Sequence, residues 1–239
     1  MQTKSKKLLS LLLTLCMVLT LLPLTAVPAY AANLGYVMIT TTSGKEVRID
    51  SSYQYLAVGA DTVTSTKPSS GGYAYLDYYN ITTGDVTLKL VDFTCKEIGA
   101  DIQGTTPFNL FIVLTGTNKI ESTTDGHVTG LSNGRGGIII YTDDGNPATL
   151  SIDVKSTENN ARGISASKGH LANRDIEIVG DANVTINAVT SANNQQEAIG
   201  ILANPGGVKV LDNAFLTITA KGATEDEARG VYLDNVTSR

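Results

Sequence analysis

The sequence predicts an all-β chain wound as a parallel β-helix, a solenoid with coils of about 30 residues and an N-terminal β cap. Three observations carry this. A short phrase built on glycine and an apolar residue recurs at Gly99, Gly130, Gly163, Gly200 and Gly230, in steps of 31, 33, 37 and 30 residues. Two further apolar runs follow it in constant order within each step. All three runs alternate apolar and polar, the two-residue period of a half-buried strand, and nothing in 85–239 keeps helical spacing.

The elements follow in chain order. Lys4, Lys6 and Lys7, the apolar stretch from Leu8 to Leu24 and the small-x-small site Ala29-Tyr30-Ala31 read as a signal peptide over 1–31. An uncleaved membrane anchor is the alternative, because the apolar stretch approaches spanning length. Cleavage at the site leaves 208 of the 239 residues and, with three lysines gone, takes the net charge from −5 to −8. Residues 32–80 hold "YVMITT", "KEVRID", "YQYLAVG" and "YAYLDYY", expected as strands of a cap over the open end of the helix, since an uncovered β-edge invites aggregation.

The β-helix is expected over 81–239. "VTLKLVDF" from Val86 opens a series of first-run strands continued by "LFIVLTG", "GIIIYT", "DIEIVG" and "VKVLDN". The second runs are "NKIES", "TLSIDV", "VTINAV" and "LTITAK". Coils stacked about 4.8 Å apart place equivalent residues in columns. The column after the glycine reads Ala100, Leu131, Ile164, Ile201, Val231, all suited to the interior. The glycine itself is expected where a positive φ or a close backbone approach leaves no room for a Cβ. Asp181, Asn183, Asp212 and Asn213 are expected to bond the corners. The chain stops just inside a new coil at Gly230-Val231, as expected of a truncated helix or of one that self-associates end to end.

Composition narrows the function. An acidic exported chain without a basic cluster is no nucleic-acid binder, and no membrane span follows the signal segment. Cys95, the single cysteine after residue 31, is expected as a buried small hydrophobe. His127 and His170 lack partners at ligand spacing, which argues against zinc. The chain is therefore expected to be secreted, or held at the cell surface.

The phrases "DVTLKLVDF", "NLFIVLTGTNKIES" and "DANVTINA", behind a Gram-positive-style signal, resemble the clostridial parallel β-helix carbohydrate-binding proteins, which include binders of cellulose and pectin. The resemblance covers about Asp85 to Asp234 and implies a right-handed helix, calcium ions and plant cell-wall polysaccharide as the ligand. It carries over no site residue.

The residues themselves offer three candidate surfaces. Tyr53, Tyr55, Tyr73 and Tyr75, with Tyr78 and Tyr79, concentrate aromatic rings in the expected cap, where they stack on sugars or pack the cap onto the helix. Arg162 and Arg229 occupy equivalent sites two coils apart with Ile199 between them, and either grip an anionic chain or cover an apolar corner with their stems. Asp125, Glu158, Glu197, Glu225, Asp226 and Glu227 lie in loops expected along one edge, as hard oxygen ligands for calcium or as a solvated charged rim. Asp143-Asp144 in "YTDDGNP" reads as a turn before it reads as a catalytic pair. The expected function is polysaccharide binding without cleavage. Its alternatives are a β-helix lyase or hydrolase and a passive adhesin stalk.

Overall fold

The computed structural model describes residues 36–50, 54–79, 84–101, 108–143, 145–167, 175–192, 196–224 and 227–233. The expected signal peptide, Tyr53, Asp144, His170, Glu225 and Asp226 lie outside the described residues. Strands are numbered in chain order and fall into three sheets, mostly parallel.

The first-run sheet contains β3 (Tyr55–Ala57), β4 (Tyr73–Tyr79), β5 (Val86–Val91), β8 (Leu110–Thr115), β11 (Ile138–Thr142), β14 (Ile176–Ile178) and β17 (Val208–Val210). The second-run sheet contains β6 (Thr94–Cys95), β9 (Thr117–Thr124), β12 (Ala148–Ser156), β15 (Ala182–Thr190) and β18 (Phe215–Lys221). The glycine sheet contains β1 (Tyr36–Thr40), β2 (Glu46–Ile49), β7 (Glu97–Asp101), β10 (Val128–Asn133), β13 (Ala161–Ser167), β16 (Ala198–Asn204) and β19 (Ala228–Leu233). The chain visits the three sheets in rotation, one strand in each per coil. That is a parallel β-solenoid.

The columns stack as the alternation demands. Ile120, Ile152, Ile186 and Ile218 are in register across the second-run sheet, and Leu88, Ile112, Ile140, Ile178 and Val210 across the first. Nearly all of these are buried, each fully buried Ile or Leu contributing about 1.5–3 kcal/mol. The exceptions are Ile218, half-buried, and Val210, exposed, both in the last described coil. Phe215 in that coil is 67% exposed.

One register differs from expectation. In the glycine sheet Leu131 pairs with Ile98 and Asn133 with Ala100, so Ile98 heads the interior column and Gly99 is no equivalent of Gly130. The phrase "EIGADI" imitates the repeat two residues out of step. Ile98 and Ala100 both point inward, so parity hides the slip.

Residues 36–79 add antiparallel strands to the coils: β1 pairs with β7 and β2, and β4 pairs with β5 and β3. Their inward residues Val37, Ile39, Ile49, Leu56 and Leu76 join the core. Cys95 is buried against Ile120, and burial pushes its thiol pKa up.

Buried polar side chains close the corners. Asn118 accepts from the Phe93 N–H at 2.9 Å and donates to the carbonyls of Thr115 and Thr149. Asn133 donates to the carbonyls of Phe108 and Gly137 and accepts from the Arg135 N–H. At the corner expected from sequence, Asn213 donates to Asp181, and Asp212 takes a φ of 59°.

Candidate functional site

Strand alternation gives each sheet an outer face, and on most of it the outward side chains are polar. The N-terminal half of the first-run sheet departs from that rule. Leu88, Leu90, Ile112, Leu114, Ile138 and Ile140 point inward, leaving Lys89, Phe111, Ile139 and Tyr141 on the outer face, with Val113 among them but covered, 1% exposed. The register aligns Tyr55, Tyr75, Lys89, Val113 and Tyr141 in one row across five strands.

Three of the tyrosines singled out in the sequence meet on this face. The rings of Tyr55 and Tyr75 lie 5.1 Å apart between centroids, tilted by 34°, and Tyr73 stands 5.9 Å from each. Tyr73 is only 8% exposed, whereas Tyr55 and Tyr75 keep part of their surface in solvent. Lys67 places its ammonium 5.3 Å from the Tyr73 centroid. Further along, Phe111 meets Tyr141 edge to face at 6.5 Å. Tyr78 is 56% exposed.

Lys89 sits between the aromatic groups. Its ammonium donates to Asp143 Oδ2 at 2.5 Å and lies 3.4 Å from Asp77 Oδ2, and Tyr75 is its cross-strand neighbour. Asp77 falls inside the register shift between Leu76 and Tyr78, a bulge that re-aims the strand. The Asp143 contact holds the ammonium charged well above the usual lysine range. Burial raises the hydroxyl pKa of Tyr75 and of Tyr141, so both stay neutral donors at physiological pH. The chemistry on offer is stacking and neutral hydrogen bonding. Phe111, Tyr141, Lys89 and Asp77 were not read as site residues from sequence. The available signal was an aromatic residue at an outward strand position, where the alternation expects a polar one.

The arginine pair takes the expected register, Arg162 opposite Ile199 and Ile199 opposite Arg229. Arg229 is engaged: it bonds Glu197 at 2.8 Å and lies 4.4 Å over the Tyr232 ring. Arg162 is half-buried, its Nε without a partner, and burial lowers its pKa. Its charge and burial both lower the pKa of His127, which shares a hydrogen bond with Thr129 at 3.2 Å. A recess of 190 Å³ opens beside His127, lined also by Met38, Thr40, Glu46, Glu97 and Thr129.

The described residues of the acidic loops have these neighbours. Glu197 is committed to Arg229, and Asp125 offers its backbone carbonyl to Asn159. Glu158 is exposed. Among the described residues no group of three or more His, Cys, Asp or Glu is placed to hold a metal. Outward Asp153 accepts from Ser151 at 2.9 Å. Comparison with protein families, with curated proteins and with solved structures finds no match to this chain. Among the described residues no helix is long and apolar enough to cross a membrane.

Proposed function

We propose that this chain is an extracellular carbohydrate-binding solenoid, and that the outer face of its first-run sheet is the surface that meets polysaccharide. The observation that carries the reading is the row running from Tyr55 and Tyr75 past Lys89 to Tyr141, with aromatic rings where a solvated sheet would present polar side chains. Aromatic faces stack on the apolar faces of sugar rings, and tyrosine adds a hydroxyl for hydrogen bonding. Rings spread over several strands make several weak contacts with successive sugars, so retention on a polymer exceeds that on a single sugar. The strand phrases that resemble clostridial β-helix binders of cellulose and pectin support the same class of ligand.

The test is retention on insoluble cellulose and on polygalacturonate, each with calcium and with a chelator. Retention that falls in the Y55A/Y75A double variant, with melting unchanged, supports the reading. An undiminished double variant overturns the assignment of this face. Release of reducing ends or unsaturated products would instead mark a hydrolase or a lyase. A passive stalk predicts retention on neither matrix. A chelator effect would speak for calcium, toward which the acidic loops were read from sequence.

A further inference from the structure

The cation in the middle of the aromatic row is already held by carboxylates. Lys89 donates to Asp143 Oδ2 at 2.5 Å, and Asp77 Oδ2 lies 3.4 Å from the same nitrogen. One lysine between two carboxylates leaves the cluster at a net charge of −1. Exposure reinforces the sign: the Lys89 side chain is 20% exposed, against 41% for Asp77 and 52% for Asp143. An approaching chain meets these carboxylates before Lys89, while the exposed Lys67 stands apart from the cluster, over Tyr73. A uronate there would face like charges and would have to displace Asp143 from its 2.5 Å contact to reach Lys89. An uncharged sugar would meet acceptors for its hydroxyls, since both carboxylates stay partly exposed beside the ion pairs.

We infer that Asp77, Lys89 and Asp143 form a charge filter that makes the aromatic face selective for neutral glycans and closes it to polyuronates. This rests on the carbohydrate-binding reading above. The aromatic rings supply contact and the ion cluster supplies discrimination, because a like charge set against a ligand is the cheapest way to reject it. The cluster exists only because the bulge at Asp77, on β4, and the turn at Asp143, after β11, both reach Lys89 on β5.

The test compares a cello-oligosaccharide with an oligogalacturonate by titration calorimetry, in chelator and at low salt, on the unaltered protein, D77N/D143N and D77N/D143N/K89M. The unaltered protein is expected to bind the neutral oligomer and to leave the uronate unbound. Unmasking Lys89 in D77N/D143N should raise the ratio of uronate to neutral affinity about tenfold or more, the worth of one charge-assisted hydrogen bond. That gain should vanish in the triple variant and shrink with added salt. K67M in the D77N/D143N background shows whether the gain runs instead through the ammonium over Tyr73. Circular dichroism and melting of each variant separate altered binding from altered folding. Uronate bound by the unaltered protein and lost in K89M overturns the filter and leaves the binding reading standing. No gain in a folded D77N/D143N overturns it too. Binding of neither oligomer by the unaltered protein takes down both.

Discussion

The Cγ2 methyl of Ile186 occupies the space that a Cβ on Gly163 would need. The carbonyl oxygen of Gly200, one coil on, would lie 2.6 Å from the same Cβ. Gly130 stands in this relation to Ile152 and Gly163, and Gly200 to Ile218 and Gly230. The recurring glycine is therefore a packing requirement between two sheets and two coils, and the column of isoleucines in the second-run sheet is its other half. Of the two reasons expected for it, close approach is the one that applies, because none of these glycines has a positive φ.

Substitution of Gly163 by alanine should destabilise the fold by about 1–3 kcal/mol, the cost of overpacking a closed interior. Gly230 provides the control: a Cβ there would lie 4.0 Å from Ile218, an ordinary contact. G230A should change stability by less than about 0.5 kcal/mol. Denaturant midpoints of the two variants check this, and equal losses would remove the close-approach account.

Asn118 links three successive coils through one side chain, accepting from Phe93 and donating to Thr115 and Thr149. It is wholly buried, so N118A leaves the Phe93 N–H without its acceptor and takes one donor from each of the two carbonyls, of which Thr115 keeps the Asp92 N–H. A loss of at least about 2 kcal/mol is expected. N118D keeps the shape but loses the donors and buries a charge, so it should fare no better. The exposed Asn213, bonded to Asp181 at 3.2 Å, should tolerate alanine within about 0.5 kcal/mol.

The repeat was legible because a solenoid writes one constraint many times: Ile152, Ile186 and Ile218 each announce the same column. What occurs once was not legible. The first coil was misread by two residues, because Gly99 imitates the marker and the alternating pattern cannot show a slip of two. Asn118 opens the second-run phrase "NKIES" in sequence, and only its register with Leu150 reveals that it points inward. The tyrosines were visible as a composition cluster. Tyr141 and Phe111 were not, since their neighbourhood with Tyr75 depends on stacking segments that lie some thirty to seventy residues apart. Lys89 was invisible for a further reason: its partners come from a bulge and a turn, neither of which has a periodic signature.

Glu97 makes stability depend on pH. It is largely buried beside the recess, and burial raises its pKa above the ordinary 4.5, with the charge of Glu46 adding to the effect and a Ser122 bond and Lys96 opposing it. A carboxyl whose folded pKa lies above its unfolded value binds its proton more readily in the folded state. Its contribution to stability is therefore greatest below 4.5 and is lost as pH rises through the raised folded value. E97Q should be more stable than the unaltered protein near neutral pH, and the difference should close as pH falls below about 4.5. Denaturation at a series of pH values reads this out. A gap that does not change with pH would show that packing of Glu97, not its ionisation, sets the difference.

Stacking and hydrogen bonding at Tyr75 separate cleanly. Its ring lies 5.1 Å from Tyr55 on the solvent side of the sheet, and Lys89 is its partner on the next strand. If the ring makes the contact with sugar, Y75F should bind a neutral oligosaccharide within about 2-fold of the unaltered protein, while Y75A loses roughly 2- to 10-fold, the worth of one aromatic contact. Y141A should lose a similar amount on a long oligomer and little on a short one, because three strand spacings of about 4.8 Å separate the two tyrosines along the row. Y75F leaves both carboxylates beside Lys89 in place, so it should leave discrimination against uronates unchanged, unlike D77N/D143N. Titration with neutral and uronate oligomers of increasing length measures all three effects. Equal loss in Y75F and Y75A would move the contact from the ring to the hydroxyl, and a Y141A effect independent of oligomer length would break the row into two separate sites.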